Sequence, residues 1–367
     1  MAHQDPDIAA LRARFECVRI TQMNGIDLGR FDFDYDNTWQ AFFLDADLNV
    51  YSRYGGRDAS SPEARLSTGS LLQTMREVLE THERRQLLPV DQRDAADLHP
   101  VPEKPNHPED FRLLKEHHTG CLHCHQVQEY RLLQSHADGP FDPVLLFPFP
   151  MPENVGLRFN RAHGHRVADV EDGSPAAVAG VLPGDVVVRS GGIPIRSEDD
   201  LRWSLHRLRN GRRIELTIHR QADSGAGSVA GGKLTFVLDL PPEWRKGDLS
   251  WRKSLRSYPV VWGFLAYPLG QEERKTAGFP EGRLAIKVVS LRGQTGGVAR
   301  ALGLQKGDLI VSLAGDERPR TLEQFKSEVL RRYGPADKME VTVLRDGQRH
   351  NLTGPFPEWF TPDRSVP

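Results

Sequence analysis

The chain has 367 residues, 38% hydrophobic and 27% charged, and its 48 basic and 50 acidic side chains leave a net charge of −2. That length accommodates two or three domains with cores of their own. The balanced charge gives no general attraction to nucleic acid or to an anionic membrane surface. No apolar run approaches the roughly 18 residues of a membrane span, and the start "MAHQDPDIAALRARFE" lacks the apolar stretch of a secretory signal. By itself this places the chain in the cytoplasm.

Residues 6–15 predict a short helix capped by Asp5 ahead of Pro6, and "CVRI" (17–20) predicts a strand with Cys17 buried in it. Residues 39–56 predict two strands joined at Asp45–Asn49. Residues 68–84 predict a helix with Leu71, Leu72, Met75, Val78 and Leu79 on one face. Helix, strand, hairpin and helix in this order resemble the C-terminal part of a thioredoxin-like domain over residues 1–90. The resemblance lacks the first strand and the helix that would carry a reactive dithiol, and Asn37-Thr38 stands where a cis proline is usual.

Residues 91–152 form a polar, proline-punctuated linker and a segment built around "GCLHCHQV" (120–127). Cys121, Cys124 and His125 make the C-x-x-C-H pattern of covalent haem c attachment: two sulfurs reach the haem vinyl groups and the next side chain ligates iron. His117, His118, His136 or Met151 would supply the distal ligand. The alternatives are a zinc or copper site using His125, His117, His118 and Met151, a thiol pair, or a purely structural stretch. No second C-x-x-C completes a four-coordinate zinc site. Short helices are expected on both sides of the cluster. "GPFDPVLLFPFPMPEN" follows, with five prolines between 140 and 152, and predicts an extended segment against an apolar surface.

From about residue 153 the chain repeats itself. "GVLPGDVVVRSGG" (180–192) matches "GLQKGDLIVSLAG" (303–315) at an offset of 123 residues, and "IELTIHR" (214–220) matches "MEVTVLR" (339–345) at 125, with a helix between the blocks in each copy. The repeated unit resembles the PDZ domain in its circularly permuted bacterial form, over 153–240 and 266–354, with a tryptophan-rich linker at 241–265 that packs across both copies and a tail at 355–367. The resulting fold class is α+β and multidomain, and the arrangement resembles tandem-PDZ proteins of planctomycete-type bacteria.

The PDZ resemblance implies that extended or C-terminal peptides are the partners, added as a strand with the carboxylate held by backbone N–H groups. In the first copy Val155, Gly156 and Leu157 would form the loop and pocket, completed by Leu201 and Leu205. In the second, Leu284 and Ile286 after Gly282 would do so, with Arg283 interrupting the apolar–Gly–apolar pattern. No G-x-S-x-G or comparable nucleophile loop is visible. The expectation is therefore an exported protein, not a protease, whose haem c passes or senses electrons while its PDZ grooves recruit peptides. A non-redox adaptor with a metal-binding or structural cysteine cluster is the alternative, and export itself rests on the haem.

Overall fold

The structure is a computed structural model that describes residues 5–139, 141–222, 231–255, 262–291 and 297–357, with the His117 side chain outside that set. It divides into two compact units, Met1–Gln128 with Pro143–Gly247, and Glu129–Asp142 with Asp248–Pro367.

The first unit opens with α1 (Pro6–Arg12), whose first turn is capped by the Asp5 carboxylate accepting from the Asp7 and Ile8 N–H groups. Cys17 is exposed and lies in no strand, so the expected strand at 17–20 is absent. With one apolar face and no partner strand, that stretch has no ladder to join. The hairpin of β1 (Gln40–Leu44) and β2 (Val50–Gly55) pairs antiparallel, and α2 (Thr68–Gln86) packs against it. Phe43, Tyr51, Tyr54, Met75 and Val78 form their shared core, flanked by Leu11, Phe15 and Leu71. A hairpin and one long helix are too few elements to establish a thioredoxin-like fold.

After α3 (Arg112–His117) and α4 (Cys124–Asp138), the proline-rich stretch feeds Phe149 into the core of the first repeat. There β3 (Leu157–Phe159) pairs with β4 (Val167–Val170), followed by α5 (Pro175–Ala179). Strands β5 (Val186–Ser190), β6 (Ile193–Pro194), β7 (Arg213–Arg220) and β8 (Gly232–Asp239) form a sheet in the order β6-β5-β7-β8, with α6 (Glu198–Arg207) between β6 and β7. The second unit holds β9 (Phe264–Pro268), α7 (Gln271–Thr276), β10 (Ile286–Leu291), α8 (Val298–Leu302), β11 (Leu309–Leu313), α9 (Leu322–Arg332), β12 (Lys338–Arg345) and β13 (Gln348–Pro355), its sheet ordered β13-β12-β11-β10-β9.

The repeat has a physical cause that the two Gly-Asp pairs make explicit. Gly184 and Gly307 turn at φ 94° and 95°, a left-handed conformation that glycine adopts without cost, and their N–H groups donate to Val167 O and Val288 O. The following Asp185 and Asp308 are buried. Each accepts from a turn N–H (Leu182 at 2.9 Å, Gln305 at 2.8 Å) and from the arginine ending the matching strand, Arg220 at 2.7 Å and Arg345 at 2.7 Å. Trp244, in the linker between the copies, is buried in the first unit's core.

The N-terminal hairpin docks on the N-terminus of α6 through one carboxylate. Asp200, with no exposure, accepts from Ser52 Oγ at 2.7 Å, the Arg53 N–H at 2.8 Å and the Arg196 N–H at 2.9 Å. Removing it strands two buried backbone donors. Asp200→Ala is expected to cost about 3 kcal/mol in urea unfolding, and Asp200→Asn, which keeps an acceptor oxygen, roughly half of that; equal stability of Asp200→Ala and the unaltered chain would refute the docking role.

Candidate functional site

The candidate groove of the first repeat lies between β3 and α6. The turn Pro152–Val155 leads into Gly156, at φ 88°, where a Cβ would overlap the Ser174 side chain. Glycine is required there on both counts. The Gly156 N–H donates to Glu153 O at 3.0 Å, so it serves the turn rather than standing open. Helix α6 starts at Ser197, whose hydroxyl accepts from the Asp200 N–H. Val155, Leu157, Leu201 and Leu205 come together in one apolar cluster, as the sequence placed them, but all four are completely buried. They are the floor of the groove rather than an open pocket.

Polar groups line what is open. A cavity of about 280 Å³ is bordered by Tyr54, Arg65, Arg158, Asn160, Ser197 and Glu198 among others. Arg65 Nη1 donates to Glu153 Oε1 at 2.8 Å and to Glu198 Oε1 at 3.1 Å, and Arg65 Nε to Asp58 Oδ2 at 2.9 Å. Burial pushes the Glu198 carboxyl up to about 7 against the pull of Arg65. Burial likewise pushes Asp200 up to about 6, opposed by its three hydrogen bonds.

In the second repeat the topology corrects the expected site. Val288 exchanges backbone hydrogen bonds with Asp308 and Gly307 as Val167 does with Asp185 and Gly184, so β10 is the counterpart of β4. Its partner β9 is therefore the counterpart of β3. The stretch equivalent to Val155-Gly156-Leu157 is then Trp262-Gly263-Phe264, with Gly263 at φ 69°. Leu284 and Ile286 are fully buried, and Ile286 is paired on both sides, to Ile310 and Pro268, which leaves no edge for an added strand. "WGF" (262–264) carries the unbroken apolar–Gly–apolar pattern that "EGRLAI" (281–286) lacks. Across from Trp262, the Lys326 ammonium of α9 sits 5.5 Å from the ring centroid, a cation–π contact.

The cysteine cluster has a structural setting of its own. Cys121 is exposed ahead of α4, and Cys124 is half-buried as that helix's first residue, where burial raises its thiol pKa. Both are free thiols. Leu122 between them is buried, its N–H donating to Asn24 Oδ1 at 3.0 Å and its carbonyl accepting from the Met23 N–H at 2.9 Å. The stretch thereby fastens residues 23–24. His125 lies 6.1 Å from His123, ring to ring and nearly parallel. His118 follows α3, Met151 precedes the turn at 152–155, and His136 stacks on Phe141 at 3.8 Å; the His117 side chain lies outside the described residues. Among the described residues no group of three or more His, Cys, Asp or Glu side chains is arranged to hold a metal ion. Among them also, no helix is long and apolar enough to cross a membrane.

Residues 149–229 match the family model of the PDZ domain. A PDZ domain is present. The chain is 30% identical over 204 residues to the "Probable periplasmic serine endoprotease DegP-like" of Pseudomonas savastanoi pv. phaseolicola, a match covering 55% of this chain and 39% of that protein. Proteins of the same name from Pseudomonas fluorescens and Hahella chejuensis are each 26% identical, over 203 and 191 residues. The chain thus spans about two fifths of the length of these relatives. Among solved structures, the HtrA-type protease AlgW with decapeptide is 22% identical, covering 38% of this chain and 40% of that one, with a TM-score of 0.22. The relatives overturn the expectation of a haem c protein with an electron-transfer or sensing role that is not a protease, since their name is that of a serine endoprotease.

The raised Glu198 carboxyl beside the PDZ groove has a thermodynamic signature. A folded-state pKa above the unfolded one favours the fold below the unfolded value, and that contribution is lost as pH rises through the folded value. For Glu198 the window runs from the ordinary 4.5 to about 7. Glu198→Gln is expected to flatten the loss of urea-unfolding stability between about pH 4.5 and pH 7, by on the order of 2–3 kcal/mol. Parallel pH profiles for the two proteins would show that Glu198 titrates normally.

Proposed function

We propose that this chain acts in the periplasm as a peptide-recognising part of DegP-like proteolysis, its PDZ domain taking hold of polypeptide C-termini. The observation that carries this reading is the Val155-Gly156-Leu157 turn feeding β3 opposite α6, inside a matched PDZ domain. C-terminal peptide capture uses a strand edge facing a helix, which is the relation of β3 to α6, with the Gly156 N–H freed from the Glu153 carbonyl when a carboxylate arrives. The periplasmic location and the link to proteolysis draw support from the names of the DegP-like relatives. The peptide as ligand draws support from the matched PDZ domain.

The second repeat is read as a further PDZ-like module on the same grounds of element order. Its groove would run between β9 and α9, with Trp262 and Phe264 at the pocket and Lys326 on the opposite wall. A half-buried ammonium over an indole is well placed to meet a carboxylate, and partial burial already lowers the Lys326 pKa.

Fluorescence anisotropy on the full chain with a panel of decapeptides tests the reading. Peptides ending in a free-carboxylate Val, Leu or Phe are expected to bind. Amidating the terminus is expected to weaken them at least about tenfold, near 1.4 kcal/mol. Indifference to amidation would exclude C-terminal capture. Phe264→Asp is expected to remove the part of the binding that belongs to the second repeat and to leave the rest; an unchanged isotherm would take β9 out of the site.

A further inference from the structure

Helix α6 turns two faces to different tasks. Leu201 and Leu205 point into the apolar floor, while Glu198, Arg202 and His206, spaced four apart, form the neighbouring stripe. In an open groove that stripe would border the ligand. Here upstream parts of the chain hold every member of it. Arg65 takes Glu198. Arg202 Nη2 donates to Asp34 Oδ2 at 2.6 Å and to Phe149 O at 3.4 Å. The Phe149 N–H donates to His206 Nδ1 at 3.3 Å, and the two rings stack at 4.2 Å. Phe149 does this at φ 49°, a left-handed backbone that a bulky side chain adopts only where its surroundings impose it.

Residues 57–66 run across the mouth of the same groove and are tied to both walls. Arg161, just beyond β3, donates from Nη2 to Glu63 O and Leu66 O, each at 3.2 Å. Its own carbonyl accepts from the Ser67 hydroxyl. Arg65 reaches Glu198 on the helix and Glu153 in the turn before β3. The buried Arg202–Asp34 pair and the stacked Phe149 belong to the core. The crossing segment is different: its residues are half-buried or exposed, its sole large apolar side chain, Leu66, packs at its end against the hairpin–α2 core, and polar contacts hold the rest. Segments of that composition open at low cost.

We infer that residues 57–66 are an autoinhibitory strap over the PDZ groove, latched by Arg65 across Glu153 and Glu198, and that a peptide enters by displacing it. This rests on the peptide-binding reading of the first repeat and adds its regulation. A strap closed nine-tenths of the time weakens the apparent affinity about tenfold.

The test uses the full chain, fluorescein-labelled decapeptides ending in free-carboxylate Val, Leu or Phe, and the variants Arg65→Ala and Arg65→Lys. Arg65→Ala is expected to bind about tenfold more tightly than the unaltered chain, with Arg65→Lys close to the unaltered value. Equal affinity in all three overturns the strap while leaving the groove reading standing. Absence of binding in all three, Arg65→Ala included, overturns the groove reading and the strap with it. Hydrogen exchange on the unaltered chain removes dependence on the variants' folding. Saturating peptide is expected to speed exchange in residues 57–66 and slow it in 157–161; slowed exchange in 157–161 with 57–66 unchanged overturns the strap.

Discussion

Asp200 sits at the third position of α6 and satisfies three donors from two different parts of the chain, the Ser52 hydroxyl and Arg53 N–H of β2 and the Arg196 N–H before the helix. A buried carboxylate is tolerated only when its lone pairs are used, so this one fixes where the hairpin lies relative to the PDZ domain. Everything around it follows the same requirement. Arg53 stacks 3.6 Å over the Trp203 ring, whose indole N–H donates to Asp32, while His99 lies on Trp203 at 5.1 Å and reaches Pro194 O at 2.9 Å. Burial among arginines holds His99 neutral, well below its ordinary pKa. A helix that would border a ligand in an open PDZ groove is here enclosed on nearly every face.

That enclosure distinguishes the helix surfaces of the two repeats. In the first, the peptide-facing stripe of α6 carries Glu198, Arg202 and His206, all engaged by upstream residues. In the second, the aligned positions on α9 are Leu322, Lys326 and Leu330. The same architecture therefore offers a polar, internally satisfied groove in one copy and an apolar one with a single ammonium in the other. The Gly-Asp turn and its arginine clamp are common to both because they stabilise the fold and take no part in the groove.

Several features were legible in the residues themselves. The α2 stripe of Leu72, Met75, Val78 and Leu79 is buried because a period near 3.6 leaves it facing the hairpin. The β1–β2 turn at Asp45–Asn49 holds because Asp45 accepts from the Asp47 and Asn49 N–H groups. The C-x-x-C-H pattern misled, since a short motif fixes spacing and not surroundings. Leu122 between the cysteines proved to be the anchoring residue, through contacts to residues 23–24 nearly a hundred positions away. In the second repeat it is strand pairing, β9 on β10, that decides which stretch precedes the edge strand, and "EGRLAI" carries no local mark of it.

Local chemistry determined the elements, the repeat and the PDZ-type turn, because glycine placement, caps and apolar periodicity act within a few residues of one another. Tertiary structure alone decided which faces became surface. Whether Leu201 and Leu205 line a pocket or a sealed floor depends on Phe149 and on the segment at 57–66, and no periodicity in α6 records either one. Long-range charge pairing, buried for Arg202 with Asp34 and half-buried for Arg65 with Glu198, made that choice, since each ion drawn away from water needed a partner that only the folded chain brings near.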